Sequence, residues 1–141
     1  MSDRWLQDGQ FSMNVPDDWM VRQLEGSTEV VPRGGNVAVH VSTLKKTDPA
    51  PATARGARQL FDYFLVKNEL SADESQVVVG RVPLGWACQA YCQRRSGQSN
   101  AWFVRVIVTG ERGIFASVCA NNADADTFVE GTAILESLRA E

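Results

Sequence analysis

Two apolar patterns, one near each end of the chain, constrain the fold most strongly. Residues 11–16 alternate apolar and polar side chains and end at Pro16, which predicts a short strand followed by a sharp turn. After that turn, Trp19 is expected to fold back onto the core. Residues 124–139 have the periodicity of an amphipathic helix. Because more elements are expected between the two patterns, we predict a single domain over residues 1–141.

The central part of the chain predicts strands and another helix. Apolar residues three and four apart predict a helix over 53–69, and Gly131 in the last helix is expected to allow a close approach to the sheet. Val-, Ile- and aromatic-rich segments separated by Gly or Pro turns predict strands over residues 19–24, 29–32, 37–43, 76–82, 86–94, 101–109 and 114–120. We therefore predict an α+β fold in which an antiparallel sheet of about six strands packs with two helices.

The opening segment with Phe11, Pro16 and Trp19, together with the closing Ile134-Leu-Glu-Ser-Leu138, resembles the PsbP-like α-β-α sandwich superfamily. That superfamily includes an extrinsic subunit of photosystem II, a Ran-binding nuclear-import factor and small bacterial proteins, some of which look like chaperones for effectors of the type VI secretion system. The resemblance implies a protein partner. It implies nothing about photosynthesis, because no residue here matches a metal or manganese site of that branch.

Composition excludes several classes of partner. The net charge of −3 and the isoelectric point near 5.2 argue against a nucleic-acid or anionic-membrane partner held by bulk charge. No apolar run is long enough for a transmembrane helix. The first residues lack the basic and apolar regions of a signal peptide, so we expect a cytoplasmic protein. No motif calls for a cofactor.

The cysteines do not predict a metal or disulfide site. Cys88 and Cys92 are four residues apart in one strand, which places them ~13 Å apart. That separation is too long for a disulfide or for shared zinc ligation. We expect Cys88, Cys92 and Cys119 to be small buried side chains.

The alternation within residues 86–94 and 101–109 predicts which side chains share a face. A connection with an odd number of residues puts Gln89 on the side of Arg105, whereas a four-residue connection presses Arg105 against Ala90 with no partner. We favour the odd connection. The sheet has one polar face. In one alternative it is exposed, and in the other a helix or the first strands cover it and its polar groups form hydrogen bonds within the core. The polar face is predicted to carry the candidate binding residues, which are His40, Gln89, Tyr91, Gln93 and Arg105.

His40 is the sole histidine, so a multi-histidine metal site is excluded and a catalytic triad would need this residue. A cysteine–histidine pair would need His40 on the face of Cys88 or Cys119. The predicted register places them on opposite faces, which argues against a thiol hydrolase.

We predict a non-catalytic protein-binding or adaptor domain, with the chaperone of a secreted bacterial effector as its most specific form. An immunity protein that blocks a neighbouring toxin is one alternative. The other is a hydrolase or ligand-sensing domain that uses His40, Tyr91 and Arg105 in a pocket beneath residues 45–52. Homodimerisation is left open by the sequence.

Overall fold

Alternating apolar residues along most of the chain produce antiparallel strands. The computed structural model describes residues 3–7, 9–94, 101–121 and 125–141. Its strands are β1 (Asp3–Gln7), β2 (Phe11–Pro16), β3 (Trp19–Leu24), β4 (Ser27–Pro32), β5 (Val37–Lys45), β6 (Leu70–Ser71), β7 (Val78–Val82), β8 (Gly85–Arg94), β9 (Ala101–Thr109), β10 (Arg112–Ala120) and β11 (Arg139–Ala140).

Most of these strands form one large sheet. Its order is β3-β4-β5-β10-β9-β8-β6, and β7 pairs with the other part of the β8 edge. A small separate sheet has the order β1-β2-β11. Over the described residues the large sheet thus has eight strands rather than the six expected, while the α+β class and the antiparallel arrangement are confirmed.

The helices α1 (Ala54–Lys67) and α2 (Ala125–Glu136) pack on opposite sides of the large sheet. Thr53 is the N-cap of α1, since its Oγ1 accepts a hydrogen bond from the backbone N–H of Gly56 at 2.9 Å. Helix α2 ends before Arg139, which the sequence placed in the helix but which lies in β11. The predicted first residue of this helix, 124, lies outside the described part of the chain.

The large sheet therefore separates two cores. The α1 core includes Phe61 and Leu65 of α1 and the alternate residues Cys88, Ala90 and Cys92 of β8. The α2 core lies on the opposite side of the large sheet, where α2 packs against this sheet and against β2. We call the two sides of this sheet the α1 side and the α2 side.

Gly131 lets α2 approach the sheet as predicted. A Cβ at this position would lie only 2.7 Å from Cγ2 of Val118 and 3.3 Å from Cγ1 of Val37. Both valines belong to the α2 core. The hydrogen atom of glycine is therefore what allows this helix to lie directly on β5 and β10.

Candidate functional site

The register of β8 and β9 brings four of the five predicted binding residues to one side of the sheet. Gln89 lies directly opposite Arg105 and Tyr91 lies opposite Phe103, as an odd-numbered connection requires. The last paired residues are Gln93 and Ala101, so seven residues connect them, and six of these, 95–100, lie outside the described residues. The side chains that share the α2 side as predicted are Gln89, Tyr91, Gln93 and Arg105.

Arg105 is used mainly within the fold. Its Nη1 atom donates to Oε1 of Gln89 at 2.6 Å, and Nη2 donates to the carbonyl oxygen of Leu138 at 3.3 Å. The side chain is half-buried, and burial lowers the pKa of its guanidinium while the nearby Glu136 carboxylate acts in the opposite direction. Through the hydrogen bond to Leu138, Arg105 thus connects the segment that follows α2 with the large sheet.

Arg105→Ala is expected to lower the free energy of unfolding by about 1–3 kcal/mol, because the carbonyl of Leu138 and the amide of Gln89 lose a donor. Arg105→Met is expected to recover part of this loss, because it restores apolar volume without a buried charge. Urea denaturation of both variants measures the difference. Equal stability of Arg105→Ala and the wild-type protein would contradict a structural role.

Tyr91 and Gln93 are the accessible members of this group. Tyr91 is 53% exposed, and its ring lies 4.9 Å from that of Phe103 and 6.1 Å from that of Phe128 on α2. The neighbouring Gln93 is also exposed. Tyr91 thus lies beside α2, and both side chains remain candidates for contact with a partner.

His40 does not lie on that face, and the sequence-based prediction is wrong here. It is paired with Ser117 of β10, which is paired with Val104 of β9, and Val104 belongs to the α1 core. His40 therefore lies on the α1 side. A pocket built from His40, Tyr91 and Arg105 is excluded by this arrangement, because the sheet lies between His40 and the other two.

The same register shows that the cysteines were also placed wrongly, since they were predicted to lie on the face opposite His40. Cys88 and Cys119 lie on the α1 side together with His40. Burial raises the pKa of the Cys88 thiol to about 11 and that of Cys92 to about 12, and it also raises the pKa of Cys119. Raised pKa values keep thiols protonated, which opposes nucleophilic reactivity. All three are free; Cys88 and Cys92 are buried as expected, whereas Cys119 is only partly buried.

The uncovered part of the α1 side is the feature that the sequence did not indicate. Helix α1 packs over β6, β7, β8 and β9, and among the described residues no element packs over this side of β3, β4 and β5. We call this surface, with the adjoining residues of β10, the open half-face. Its side chains are Met20, Arg22 and Leu24 of β3, Ser27, Glu29 and Val31 of β4, Ala38, His40, Ser42 and Leu44 of β5, and Cys119 of β10, while Phe115 of β10, which stacks on Phe64 of α1, forms its border.

An ion network lies at the centre of the open half-face. Arg22 of β3 donates to Oε1 of Glu29, and Nε2 of His40 lies 2.8 Å from Oε2 of the same carboxylate. Since a carboxylate accepts hydrogen bonds, Nε2 of His40 carries a proton in this arrangement. The hydrogen bond from Arg22 holds the pKa of Glu29 below its usual value, and the bond from His40 adds to this effect against the opposing effect of burial. The network joins three neighbouring strands.

The lowered pKa of Glu29 predicts a contribution to acid sensitivity. A carboxyl group whose pKa is lower in the folded state stabilises the protein above its unfolded pKa, and this stabilisation is lost as the pH falls through the folded pKa. The free energy of unfolding is therefore expected to fall less between pH 6 and pH 3 in Glu29→Gln than in the wild-type protein. Urea denaturation at both pH values tests this. The exposed Glu25→Gln is the control, and equal pH dependence of the two variants would contradict the prediction.

Beside α1, two small pockets adjoin the open half-face. The first has a volume of about 280 Å³ and is lined by residues that include Leu44, Leu60 and Gly113. The second has a volume of about 180 Å³ and is lined by residues that include Phe64 and Phe115. Neither contains His40, Tyr91 or Arg105. In the described part of the chain, no three His, Cys, Asp or Glu residues are close enough to hold a metal ion.

His40 and the ion network thus lie on the part of the large sheet that no helix covers on the α1 side among the described residues. No helix in the described residues is long and apolar enough to span a membrane. No protein-family model matches the sequence, and no match is found among curated proteins.

Solved structures share the fold. A protein from Bacteroides thetaiotaomicron VPI-5482 is similar, with a TM-score of 0.54 and 19% identity, over 93% of this chain and 45% of that chain. The chain thus spans less than half the length of that protein. A point mutant of the protein Mog1 is similar with a TM-score of 0.55 and 9% identity, over 99% of this chain and 96% of that chain. At such identities these likenesses show the fold alone.

Proposed function

We propose that this chain is a protein-binding or adaptor domain of the PsbP-like superfamily, that it acts in the cytoplasm and that it works without catalysis. The observation that carries this proposal is the open half-face. It presents exposed apolar side chains around a central set of charged groups that are already paired with one another. A surface of this composition matches the usual interface, in which apolar contacts are combined with satisfied polar groups.

The exposed apolar side chains support binding most directly. Met20 and Leu24 are each 48% exposed, and Leu44 is 56% exposed. They are on the same side of the sheet as Arg22 and His40, so one partner could cover them together. Grouped exposed apolar residues are typical of interaction sites, whereas single ones are common on any surface.

The chemistry of the nucleophilic groups supports binding over catalysis. The raised thiol pKa values of Cys88 and Cys119 disfavour the thiolate. The Nε2 atom of His40 is engaged with Glu29, which is itself paired with Arg22. The imidazole is therefore engaged in a structural interaction, and the two thiols are poor nucleophiles.

Affinity capture of tagged protein from its own cells, with mass spectrometry, tests the proposal. One stoichiometric partner is expected for the wild-type protein, and Met20→Glu is expected to lose it. Val129→Glu is the matched control, because Val129 is an apolar residue 63% exposed on α2, on the opposite side of the sheet. Absence of any partner, or equal loss in both variants, would contradict the proposal.

Tyr91→Ala distinguishes the two candidate surfaces. If Tyr91→Ala loses the partner while Met20→Glu keeps it, the binding surface is the one beside α2. The identity of the captured protein assigns the more specific role. A secreted effector supports a chaperone, a toxin supports an immunity protein, and a second copy of this chain supports a homodimer.

A further inference from the structure

The two small pockets beside α1 are neighbours along this helix. The residues that line the two pockets follow one another along the same strands. Gly113 and Phe115 are neighbours on one face of β10, and Leu44 and Ser42 are neighbours on one face of β5. On the helix, Leu60 and Phe64 are one turn apart, which places the pockets ~6 Å from each other. We call the two neighbouring pockets together the α1 groove.

The floor of the α1 groove is apolar and firmly built. The ring of Phe64 stacks on that of Phe115 with centroids 5.8 Å apart. At the other end, Gly113 leaves room for Leu60, because a Cβ at residue 113 would lie 2.7 Å from Cδ2 of Leu60. The helix is held by the hydrogen bonds from Arg58 to Glu74, at 2.7 and 2.6 Å. An incoming apolar side chain would thus meet a preformed surface.

The charges at the groove have one sign. Among the described residues that line the two pockets, the charged ones are Lys46 at one end and Lys67 at the other. Nζ of Lys46 donates to the carbonyl of Ala50 at 3.3 Å, and Nζ of Lys67 lies 5.9 Å from the ring centroid of Tyr63. Neither ammonium group is paired with a carboxylate in the part of the chain that the structure describes. A local excess of positive charge in a chain of net charge −3 favours an acidic ligand.

We propose that the α1 groove binds a short acidic segment of a protein partner, which places two apolar side chains in the two pockets and carboxylates near Lys46 and Lys67. The apolar anchors are spaced ~6 Å apart, as at positions four apart on a helix. The groove continues into the open half-face through Ser42, Leu44 and Phe115. This inference rests on the proposed protein-binding function and specifies the chemistry of the partner.

Selection of a displayed library of random 16-residue peptides on the purified full-length chain tests the groove directly. The enriched peptides are expected to carry two apolar residues flanked by Asp or Glu. Fluorescence anisotropy of synthetic copies is expected to show binding at least about 10-fold weaker to the Lys46→Glu/Lys67→Glu variant. Higher ionic strength is expected to weaken binding to the wild-type protein.

The matched control is the Arg33→Glu/Lys45→Glu variant, which makes the same change in net charge. Lys45 is adjacent to Lys46 but lies on the alternate face of β5, and Arg33 is exposed in a turn. Circular dichroism verifies that both variants fold. Failure to enrich peptides, enrichment of neutral or basic peptides, or equal weakening by both variants would overturn the groove proposal.

The two proposals can fail separately. If affinity capture yields a partner that Met20→Glu loses but Lys46→Glu/Lys67→Glu keeps, the adaptor function stands and the groove proposal is wrong. If peptides bind the groove as described but no cellular partner is captured, the adaptor function is in question while the groove chemistry is supported.

Discussion

Trp19→Ala is expected to lower the free energy of unfolding by about 3–5 kcal/mol, the usual cost of removing a large buried aromatic side chain. Trp19 is 1% exposed in the α2 core. Its Nε1 donates to Oε2 of Glu130 at 3.2 Å, and its ring lies beside Gly131 at the contact between α2 and the sheet. The variant therefore leaves a cavity between α2 and β3 and removes the hydrogen bond to Glu130.

Trp5→Ala is the matched control for this prediction. Trp5 is 50% exposed, and the guanidinium of Arg139 lies 4.6 Å from its ring centroid. Loss of an exposed cation–π contact is expected to cost about 0.5–1 kcal/mol. Urea denaturation followed by circular dichroism compares the two variants. A cost for Trp19→Ala no larger than that for Trp5→Ala would contradict the assigned place of Trp19 in the core.

Gly85→Ala is expected to destabilise the protein by about 3 kcal/mol, at the upper end of the cost of overpacking. A Cβ at this position would overlap the carbonyl oxygen of Val108, and it would lie 2.9 Å from the carbonyl carbon of the same residue. Because these atoms belong to the backbone of β9, they cannot move aside by a change of rotamer. The start of β8 would have to separate from Thr109, its partner in the sheet.

Gly80→Ala provides the control for a glycine in a strand. No atom lies within 4 Å of the position that a Cβ would take at Gly80, although this residue also belongs to a paired strand, β7. Its expected effect on the free energy of unfolding is within about 0.5 kcal/mol. Thermal and urea denaturation of both variants test whether the close approach at Gly85, and not the loss of glycine as such, causes the effect.

The fold could be predicted from the sequence wherever periodicity runs over many residues. The β8 and β9 segments alternate long enough to set their register, and the facing of Gln89 and Arg105 followed from it. The strands β6 and β11 have only two residues each, and two residues carry no readable period. The pairing of β11 with β2 therefore could not be anticipated, and Arg139 was placed in the preceding helix.

The candidate site was harder to predict because it depends on strands that are distant in sequence. Alternation shows that Val39 and His40 point to opposite sides of β5, but it cannot show which side shares a core with β10. Which side of β5 shares a core with β10 depends on the whole connection between these two strands, and this connection includes α1 and several other strands. The open half-face likewise depends on where α1 lies across the sheet, which the apolar stripe of the helix does not specify. The signal for this surface that the sequence did offer was the alternation that places the apolar Met20 and Leu24 on the same face of β3 as Arg22.

The division of the large sheet between two cores has a consequence for the order of folding. The α1 core is built from one continuous stretch of chain that runs from α1 to β10. The α2 core instead requires β2 to meet the last residues, since the backbone N–H of Asn14 donates to Oγ of Ser137 at 2.8 Å and Arg139 pairs with Ser12. Closing such long loops is slow. We therefore expect φ-values at Phe61 and Val104 to exceed those at Phe11 and Leu138, so that a chain emerging from the ribosome orders its middle before its two ends meet.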